Sequence, residues 1–315
     1  MAKIGLIDVD GHNYPNLALM RISAWHKAQG DEVEWWLGDL FHYDIVYKSK
    51  VFSDAYSKDI PDPVNADYVY KGGTGYAISL VDGVEVYDKE QNPELPQEIE
   101  TMRPDYSIYP EYDFAVAMTT RGCPRGCPFC VVGKKEGRCS RKVADVSDFW
   151  TGQKVIDVLD PNITACKDRF DLYEQYIDTK ARISFSQGLD IRLITERDID
   201  YLNRMKLKEI HFAWDNPKDN LEDKFKMFAE NYSKASRQKC TVYCLTNYNS
   251  TMEENLYRIY TLRDLGYSPY VMIYNKPSAS REVRDLQRWV NNRILFNSCP
   301  RFEDARMRKE DGRTY

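Results

Sequence analysis

The chain has 315 residues and a formal net charge of -5, with 43% hydrophobic and 30% charged residues. This length suffices for one large domain or two modest ones, and the content of 23 Tyr, 12 Phe and 6 Trp excludes a disordered chain. The opening MAKIGLIDVD lacks the pattern of a signal peptide, and no later stretch is long enough to span a bilayer. We therefore expect a cytoplasmic protein with no membrane partner.

The first hundred residues alternate short apolar runs with polar or helical stretches, which is typical of a wound α/β domain with a parallel sheet. KIGLID (3–8) predicts a buried strand, and residues 15–30 predict a helix between a Pro and a Gly. VEWWL, DIVY and DYVY predict three further strands, and Lys71-Gly-Gly-Thr-Gly75 follows the last one as a loop. Pro and acidic residues then accumulate, so we predict that a Rossmann-like domain occupies residues 1–105.

Six strand candidates follow, and each precedes a helical pattern. They are FAVAMT (114–119), KVIDVL (154–159), ARISFS (181–186), KEIHFAW (208–214), CTVYCLT (240–246) and SPYVMIY (268–274). The helix candidates include 196–205, 221–235 and 252–266. Six successive βα units predict either an open doubly wound sheet or an incomplete barrel, and both folds bind ligands at the carboxyl ends of their strands.

Three of the eight cysteines lie in RGCPRGCPFC, directly after the first of these six strands. Cys123, Cys127 and Cys130 have the spacing Cys-x-x-x-Cys-x-x-Cys, and in a reducing compartment such clustering favours metal binding over disulfide bonding. Gly122 and Gly126 let the backbone wrap closely, so that three thiolates can converge on one cluster.

Two other kinds of metal site are alternatives for these cysteines. A structural zinc site needs four closed ligands, and Cys139 would supply the fourth only at an unusual spacing. An electron carrier of the ferredoxin type also needs a fourth Cys for each cluster. Three ligands without a fourth leave one iron of a cluster open.

The spacing, the aromatic Phe129 before the last Cys and the position after the first strand together resemble the radical S-adenosylmethionine superfamily. The resemblance implies an enzyme with a partial (β/α)6 barrel over residues 106–280 and a 4Fe-4S cluster whose open iron binds S-adenosylmethionine. It implies that one electron, from a donor such as a flavodoxin or ferredoxin, cleaves S-adenosylmethionine to a 5'-deoxyadenosyl radical. That radical abstracts hydrogen from a substrate that the sequence does not identify.

The resemblance also implies that polar residues after the later strands contact S-adenosylmethionine. Asp160 and Asn162 are candidates for its ammonium group, although their segment departs from the Gly-Gly-Glu of the family and an Asp-Pro turn is the alternative. Gln187, Asp190 and Arg192 are candidates for its carboxylate or ribose, and a surface ion pair between the last two is the alternative.

The fourth and fifth strands of this region carry weaker candidates. Asp215 and Asn216 end the fourth strand and Asn247 ends the fifth, so they are candidates for the ribose or the substrate, or else turn residues. Cys240 and Cys244 lie on one face of the fifth strand, and we predict buried thiols there rather than ligands of a second cluster.

The N-terminal region resembles the domain of the superfamily's cobalamin-binding subgroup. Asp10-Gly-His12 follows the first strand, where cobalamin modules carry Asp-x-His-x-x-Gly, but Pro15 replaces the Gly. We therefore predict a helix-entry loop with a surface His and a fold that persists without cobalamin. A cobalamin-dependent radical methyltransferase stays an alternative function. For Lys71-Gly-Gly-Thr-Gly75 we predict a tight turn rather than a phosphate loop.

A C-terminal segment, 281–315, carries nine Lys or Arg against six Asp or Glu, interleaved with Trp289, Phe296 and Phe302. A nucleic-acid contact is one interpretation, and a helical segment that closes the open side of the barrel is the other. A third function, from another class, is a non-catalytic zinc-binding scaffold.

Overall fold

The computed structural model describes residues 1–82, 84–233 and 240–310, with side chains described as far as residue 306. The chain divides into two compact units. The first comprises Met1–Met118, Gly122–Arg138 and Ala144–Lys154, and the second comprises Thr119–Arg121, Cys139–Val143 and the chain from Val155 onward. The first unit thus includes residues beyond 105, the predicted end of the N-terminal domain, and the domain boundaries stay predictions.

The first unit contains a four-stranded parallel sheet. Its strands are β1 (Lys3–Asp8), β2 (Glu32–Trp35), β3 (Tyr43–Ser49) and β4 (Ala66–Gly72), in the order β2-β1-β3-β4. All four predicted strands are confirmed. Helix α1 (Leu17–Ala28) joins β1 to β2, and its residues Leu19, Met20 and Ile22 are buried together with Ile4 and Leu6 of β1.

Helix α1 is shorter at both ends than the predicted range of 15–30. The side chain of Asn16 accepts hydrogen bonds from the backbone amides of Ala18 (3.1 Å) and Leu19 (3.3 Å), so it caps the helix and Pro15 lies before it. Gly30 follows the helix with a φ of +84°, a left-handed conformation that ends helices.

The predicted alternation of strands and helices in this region is only partly correct. The described connections from β2 to β3 and from β3 to β4 contain no helix, because they are short or rich in Pro and Asp. A hairpin was also missed. The remaining elements are β5 (Ile78–Val81) and β6 (Val84–Tyr87), which pair antiparallel, α2 (Gln97–Glu100) and β7 (Phe114–Ala117).

Two short strands, β8 (Thr120–Arg121) and β9 (Arg141–Lys142), pair antiparallel in the second unit. Between them in the sequence lie the three clustered cysteines and the four-residue helix α3 (Val132–Lys135), which belong to the first unit. The helical pattern predicted after β7 thus corresponds to the short helix α3. Gly and Pro are concentrated in this segment and oppose a longer helix.

Five parallel strands of the second unit lie side by side in chain order. They are β10 (Val155–Val158), β11 (Arg182–Phe185), β12 (Lys206–Ala213), β13 (Cys240–Thr246) and β14 (Ser268–Ile273), each at its predicted place. An order without reversal is that of a (β/α) barrel wall, whereas a doubly wound sheet reverses at a switch point. A mixed α/β fold with parallel sheets is thus confirmed, and the partial barrel stays a prediction.

Helices follow each of these five strands. They are α4 (Arg169–Asp178), α5 (Glu196–Arg204), α6 (Glu222–Asn231), α7 (Met252–Asp264), α8 (Arg281–Asn291), α9 (Arg293–Ser298) and α10 (Phe302–Glu310). The last two residues of the helix predicted over 221–235 lie outside the described residues. The helices predicted over 196–205 and 252–266 are confirmed to within two residues at their ends.

The C-terminal segment is helical as far as it is described, and residues 311–315 lie outside the described residues. Trp289, Phe296 and Phe302 are buried in one apolar cluster with Ile259 and Val271. This burial favours packing as the reason for the aromatic residues. None of the described helices has the length and apolar character that crossing a membrane requires.

Candidate functional site

The cysteine loop, defined as residues 122–138, carries the three clustered cysteines. Cys123, Cys127 and Cys130 are half-buried, and no disulfide bond is found among the described residues. The amide of Cys123 donates to the carbonyl of Gly137 (3.1 Å), and the amide of Cys130 donates to that of Cys127 (3.0 Å). Backbone hydrogen bonds thus shape the loop, and its three cysteines are partly exposed.

Two glycines of the cysteine loop have conformations that other residues rarely adopt. The φ angles of Gly122 and Gly126 are +86° and +57°. A Cβ atom on Gly126 would lie 2.2 Å from the guanidinium of Arg138, so the absence of a side chain lets Arg138 lie against the backbone between two cysteines. The close wrapping predicted for Gly126 is confirmed.

The donor chemistry of the loop fits an iron-sulfur cluster. Three thiols are the ligands that such clusters use, and each would bind a different iron. Among the described residues, no three His, Cys, Asp or Glu side chains surround a point where one metal ion could sit. Phe129, between the second and third cysteines, is half-buried.

The cysteine loop is basic in a protein of negative net charge. Its four Lys and Arg residues, Arg125, Lys134, Lys135 and Arg138, face a single acidic residue, Glu136. The formal charge of the loop without ionised thiols is therefore +3. Such cations offset the negative charge of three thiolates bound to a cluster.

Asp160 follows β10, as predicted, but its side chain points into the second unit. It is 2% exposed, and its two oxygens accept hydrogen bonds from the amide and the hydroxyl of Thr119, both at 2.6 Å. Burial raises the pKa of Asp160 to about 6, although the hydrogen bonds from Thr119 and Thr120 act in the opposite direction.

Three of the predicted residues form one hydrogen-bonded network in the second unit. The amide of Asn162 donates to Asp190 (3.4 Å), and the guanidinium of Arg192 donates to Asp190 (3.1 Å) and to Asp219 (2.6 Å). Burial opposes the charge of Arg192, but Asp219 and Asp190 outweigh it and raise the pKa of Arg192. The pair of Asp190 and Arg192 therefore exists, but Asp190 is buried and Arg192 half-buried.

The other predicted residues differ in exposure. Gln187 is exposed, whereas Asp215 is half-buried and accepts a hydrogen bond from the amide of Leu245 (3.2 Å). Burial raises the pKa of Asp215. Asn216 donates to Asp219 (2.9 Å) and so joins the network, while Asn247 has a φ of +61° and donates to the carbonyl of Tyr274 (2.8 Å), as a turn residue does.

Sequence reasoning missed Arg258, a fully buried arginine of α7. Its guanidinium donates to the carbonyls of Trp214, Asp215 (2.9 Å) and Leu245 (3.0 Å), so it connects the ends of β12 and β13. Burial lowers the pKa of Arg258. Its spacing of four residues from the buried Leu262 was a signal that this charge faces inward.

In the first unit, the loops that follow the strands bond directly to one another. Asp10 accepts hydrogen bonds from the amides of Val51 (2.5 Å) and Phe52 (3.3 Å). A Cβ atom on Gly73 would lie 2.3 Å from the carbonyl oxygen of Lys50, and one on Gly75 2.2 Å from that of Phe52. The predicted tight turn at the glycines is confirmed.

Two further predictions about single side chains are confirmed. His12 is exposed, and its ring centroid lies 4.1 Å from that of Trp35. Cys240 and Cys244 are both buried, and burial raises the pKa of Cys244 to about 12.

A scan against protein-family models finds no match for the chain, and a search of curated proteins finds none either. A search of solved structures finds similarity to the radical S-adenosylmethionine methyltransferase TsrM from Kitasatospora setae, solved with cobalamin and a 4Fe-4S cluster bound. The sequences are 11% identical, the TM-score is 0.61, and the match covers 87% of this chain and 75% of that one. The likeness shows that the two chains share a fold, as the predicted resemblance implied, and membership of the radical S-adenosylmethionine superfamily stays a prediction.

Proposed function

We propose that the chain is a radical S-adenosylmethionine enzyme, which cleaves S-adenosylmethionine reductively and abstracts hydrogen from a substrate. One observation carries this proposal: the cysteine loop presents three partly exposed cysteines, at the superfamily's spacing, and contains no fourth cysteine. The likeness of the fold to a solved member of that superfamily supports it. A partial (β/α)6 barrel over residues 106–280 is part of the proposal.

Cys123, Cys127 and Cys130 would hold a 4Fe-4S cluster through their Sγ atoms. When bound, such a cluster supplies the electron that cleaves S-adenosylmethionine to a 5'-deoxyadenosyl radical. The backbone hydrogen bonds and the glycines of the loop set the course of the chain between these cysteines. The four Lys and Arg side chains of the loop lower the electrostatic cost of gathering three thiolates.

The polar strand ends of the second unit are the proposed contacts for S-adenosylmethionine. Gln187 is exposed, so its amide can reach a ligand without breaking an internal bond. Arg192 forms ion pairs with Asp190 and Asp219. On binding of the ligand it would release one of these carboxylates and pair with the carboxylate of the methionine group. Asp190, Asn162 and Asp215 would orient these groups or bind the ribose.

The proposal also concerns the partner and the location of the enzyme. A one-electron donor such as a flavodoxin or a ferredoxin would reduce the cluster. The exposed basic side chains of the cysteine loop, Arg125, Lys134 and Arg138, suit an acidic donor. We propose the cytoplasm as the location because the thiols need a reducing compartment to stay reduced.

Cobalamin-dependent methyl transfer is a second candidate, and the specific observation in its favour is the solved structure of TsrM with cobalamin bound. Against it, Asp10 is engaged by two backbone amides, and Gly73 and Gly75 pack against the loop after β3. His12 is exposed. We therefore propose that the fold is kept here without the cofactor.

Protein purified without oxygen and reconstituted with iron and sulfide tests the proposal. We expect roughly four irons and four sulfides per chain and formation of 5'-deoxyadenosine with a strong reductant. One zinc per chain and no 5'-deoxyadenosine would instead indicate the zinc-binding scaffold. The visible spectrum after incubation with cobalamin separates the two enzyme candidates, since only the methyltransferase would retain the corrinoid.

A further inference from the structure

The cysteine loop begins and ends at a short antiparallel ribbon in the second unit, here called the stem. In the stem, Thr120 of β8 pairs with Lys142 of β9, and Arg121 pairs with Arg141. The amide of Val143 adds a hydrogen bond to the carbonyl of Thr119 (2.9 Å). The chain leaves the stem after residue 121, passes through the three cysteines and returns at residue 141.

The residues that precede the two strands of the stem are hydrogen-bonded to one segment, Asp160-Pro-Asn162, which follows β10. Asp160 accepts two hydrogen bonds from Thr119, the residue before β8. The carbonyl of Asn162 accepts a hydrogen bond from the hydroxyl of Ser140 (2.8 Å), the residue before β9. Asp160, Asn162, Thr119 and Ser140 are all buried, so water does not compete for these bonds.

We propose that Asp160 and the backbone of Asn162 are positioning residues, which hold the two ends of the cysteine loop at the spacing that cluster binding requires. The proposal rests on the proposed function, because it assumes that the loop binds a cluster. A loop whose ends are fixed loses less conformational entropy when its three thiolates converge than a loop with mobile ends. Pro161 limits the backbone between the two acceptors and keeps their spacing constant.

This role differs from binding the ammonium group of S-adenosylmethionine. Both oxygens of Asp160 already accept hydrogen bonds from Thr119, and the side chain is almost fully buried. An ammonium group would have to displace Thr119 or share its acceptors. The hydroxyl of Thr119 also lies 3.3 Å from the hydroxyl of Tyr176, so the position of Thr119 is fixed from two sides.

Cluster retention in variants of the full-length reconstituted protein tests the role. Asp160→Ala removes both bonds to Thr119, and Ser140→Ala removes the bond to Asn162, so we expect each variant to lose iron to a chelator about tenfold faster than the wild type. Asp160→Asn should retain the cluster nearly as well as the wild type, because an amide can accept from the Thr119 amide and donate to its hydroxyl. Asp198→Ala is the matched control: Asp198 is a fully buried carboxylate of the second unit that bonds Arg169 and Thr195 and not the stem. It should lower stability without accelerating the loss of iron.

Two results would overturn the positioning role. One is wild-type retention of the cluster in Asp160→Ala together with a loss of S-adenosylmethionine binding, which would make Asp160 a ligand of that molecule. The other is equally fast loss of iron in Asp160→Ala and in Asp198→Ala, which would trace the effect to general stability.

If the wild-type protein took up no iron and sulfide, this result would contradict the proposed function but not the positioning role of Asp160 and Asn162. Amide hydrogen exchange in the metal-free protein then decides the positioning role. Faster exchange at Thr119 and Val143 in Asp160→Ala than in Asp198→Ala would support the proposal that hydrogen bonds to the Asp160-Pro-Asn162 segment fix the stem. Equal exchange in both variants would overturn the positioning role.

Discussion

The cysteine loop and the polar strand ends of the second unit follow strands in the same way, but they use their functional groups differently. The hydrogen bonds described within the loop run from backbone amides to backbone carbonyls and to the carboxylate of Glu136, and the three cysteines are half-buried. At the strand ends, Asp160, Asn162, Asp190 and Arg192 bond to other protein groups. A position after a strand therefore predicts where a side chain lies, and the packing around it decides whether a ligand can use it.

Removing one thiol from the cysteine loop should have the largest effect. We expect Cys127→Ala to abolish formation of 5'-deoxyadenosine, because two thiolates cannot hold the cluster with a single open iron. Iron content, sulfide content and 5'-deoxyadenosine are the measurements. Cys139→Ser is the control, since Cys139 is an exposed thiol just beyond the loop and should be dispensable. If Cys139→Ser lost as much metal as Cys127→Ala, a site with four ligands would replace the proposed cluster.

Arg258 offers the next largest effect, and it tests whether the strand ends serve stability. Arg258→Met should lower the free energy of unfolding by about 3 kcal/mol or more, because the carbonyls of Trp214, Asp215 and Leu245 lose their buried donor. Denaturant unfolding measures the change. Arg204→Met removes an arginine whose ion pair with Glu174 is nearly half exposed and screened by solvent, so it should lower the free energy of unfolding much less. Equal losses in the two variants would contradict a special role for the buried guanidinium.

Much of the fold could be predicted from the sequence because apolar runs mark buried strands whatever their surroundings. The strands Lys3–Asp8 and Cys240–Thr246 match their predicted ranges completely. The start of α1 was predicted less well, because the competition between Pro15 and Asn16 for the cap depends on local hydrogen bonds. The pattern of the six strand candidates gave no sign that the first of them, residues 114–119, would lead into the stem.

The candidate site was predictable only where its chemistry is local in sequence. The three cysteines lie within eight residues of one another in the sequence, so their spacing was enough to predict the cysteine loop. The hydrogen bond between Asp160 and Thr119 joins residues 41 positions apart in the sequence. The hydrogen bond between Arg192 and Asp219 joins residues 27 positions apart. Such pairings depend on the register of neighbouring strands, which composition and periodicity do not specify.

The stability of the protein should depend on pH through the buried carboxyl of Asp160. Its pKa in the folded protein is about 6, against an ordinary value of 3.8, so folding favours the protonated form. The stabilisation from this group is complete below pH 3.8 and is lost as the pH rises through 6, a total change of about 3 kcal/mol. Asp160→Asn stays neutral, so the stability of the wild type relative to this variant should fall between pH 4 and pH 7, as measured by denaturant unfolding at each pH.

Glu174 provides a control of opposite sign for that measurement. The hydrogen bond from Arg204 lowers the pKa of Glu174, so its stabilisation is present at neutral pH and is lost as the pH falls. The stability of the wild type relative to Glu174→Gln should therefore rise with pH. Parallel curves for the wild type and Asp160→Asn would show that Asp160 titrates at its ordinary value.

Two glycines of the cysteine loop give the smallest expected effects and test the loop itself. Gly126→Ala should lower the free energy of unfolding by about 1 to 2 kcal/mol, because φ is +57° and the new Cβ would meet the guanidinium of Arg138. Gly133→Ala should be neutral or stabilising, since Gly133 lies in α3 and the nearest atoms to its new Cβ are 3.6 Å away. Adding Arg138→Ala to Gly126→Ala removes the contact but not the backbone strain, so only part of the loss should return. Full recovery in that double variant would mean that the guanidinium, rather than the left-handed backbone, limits which residue can stand between the first two cysteines.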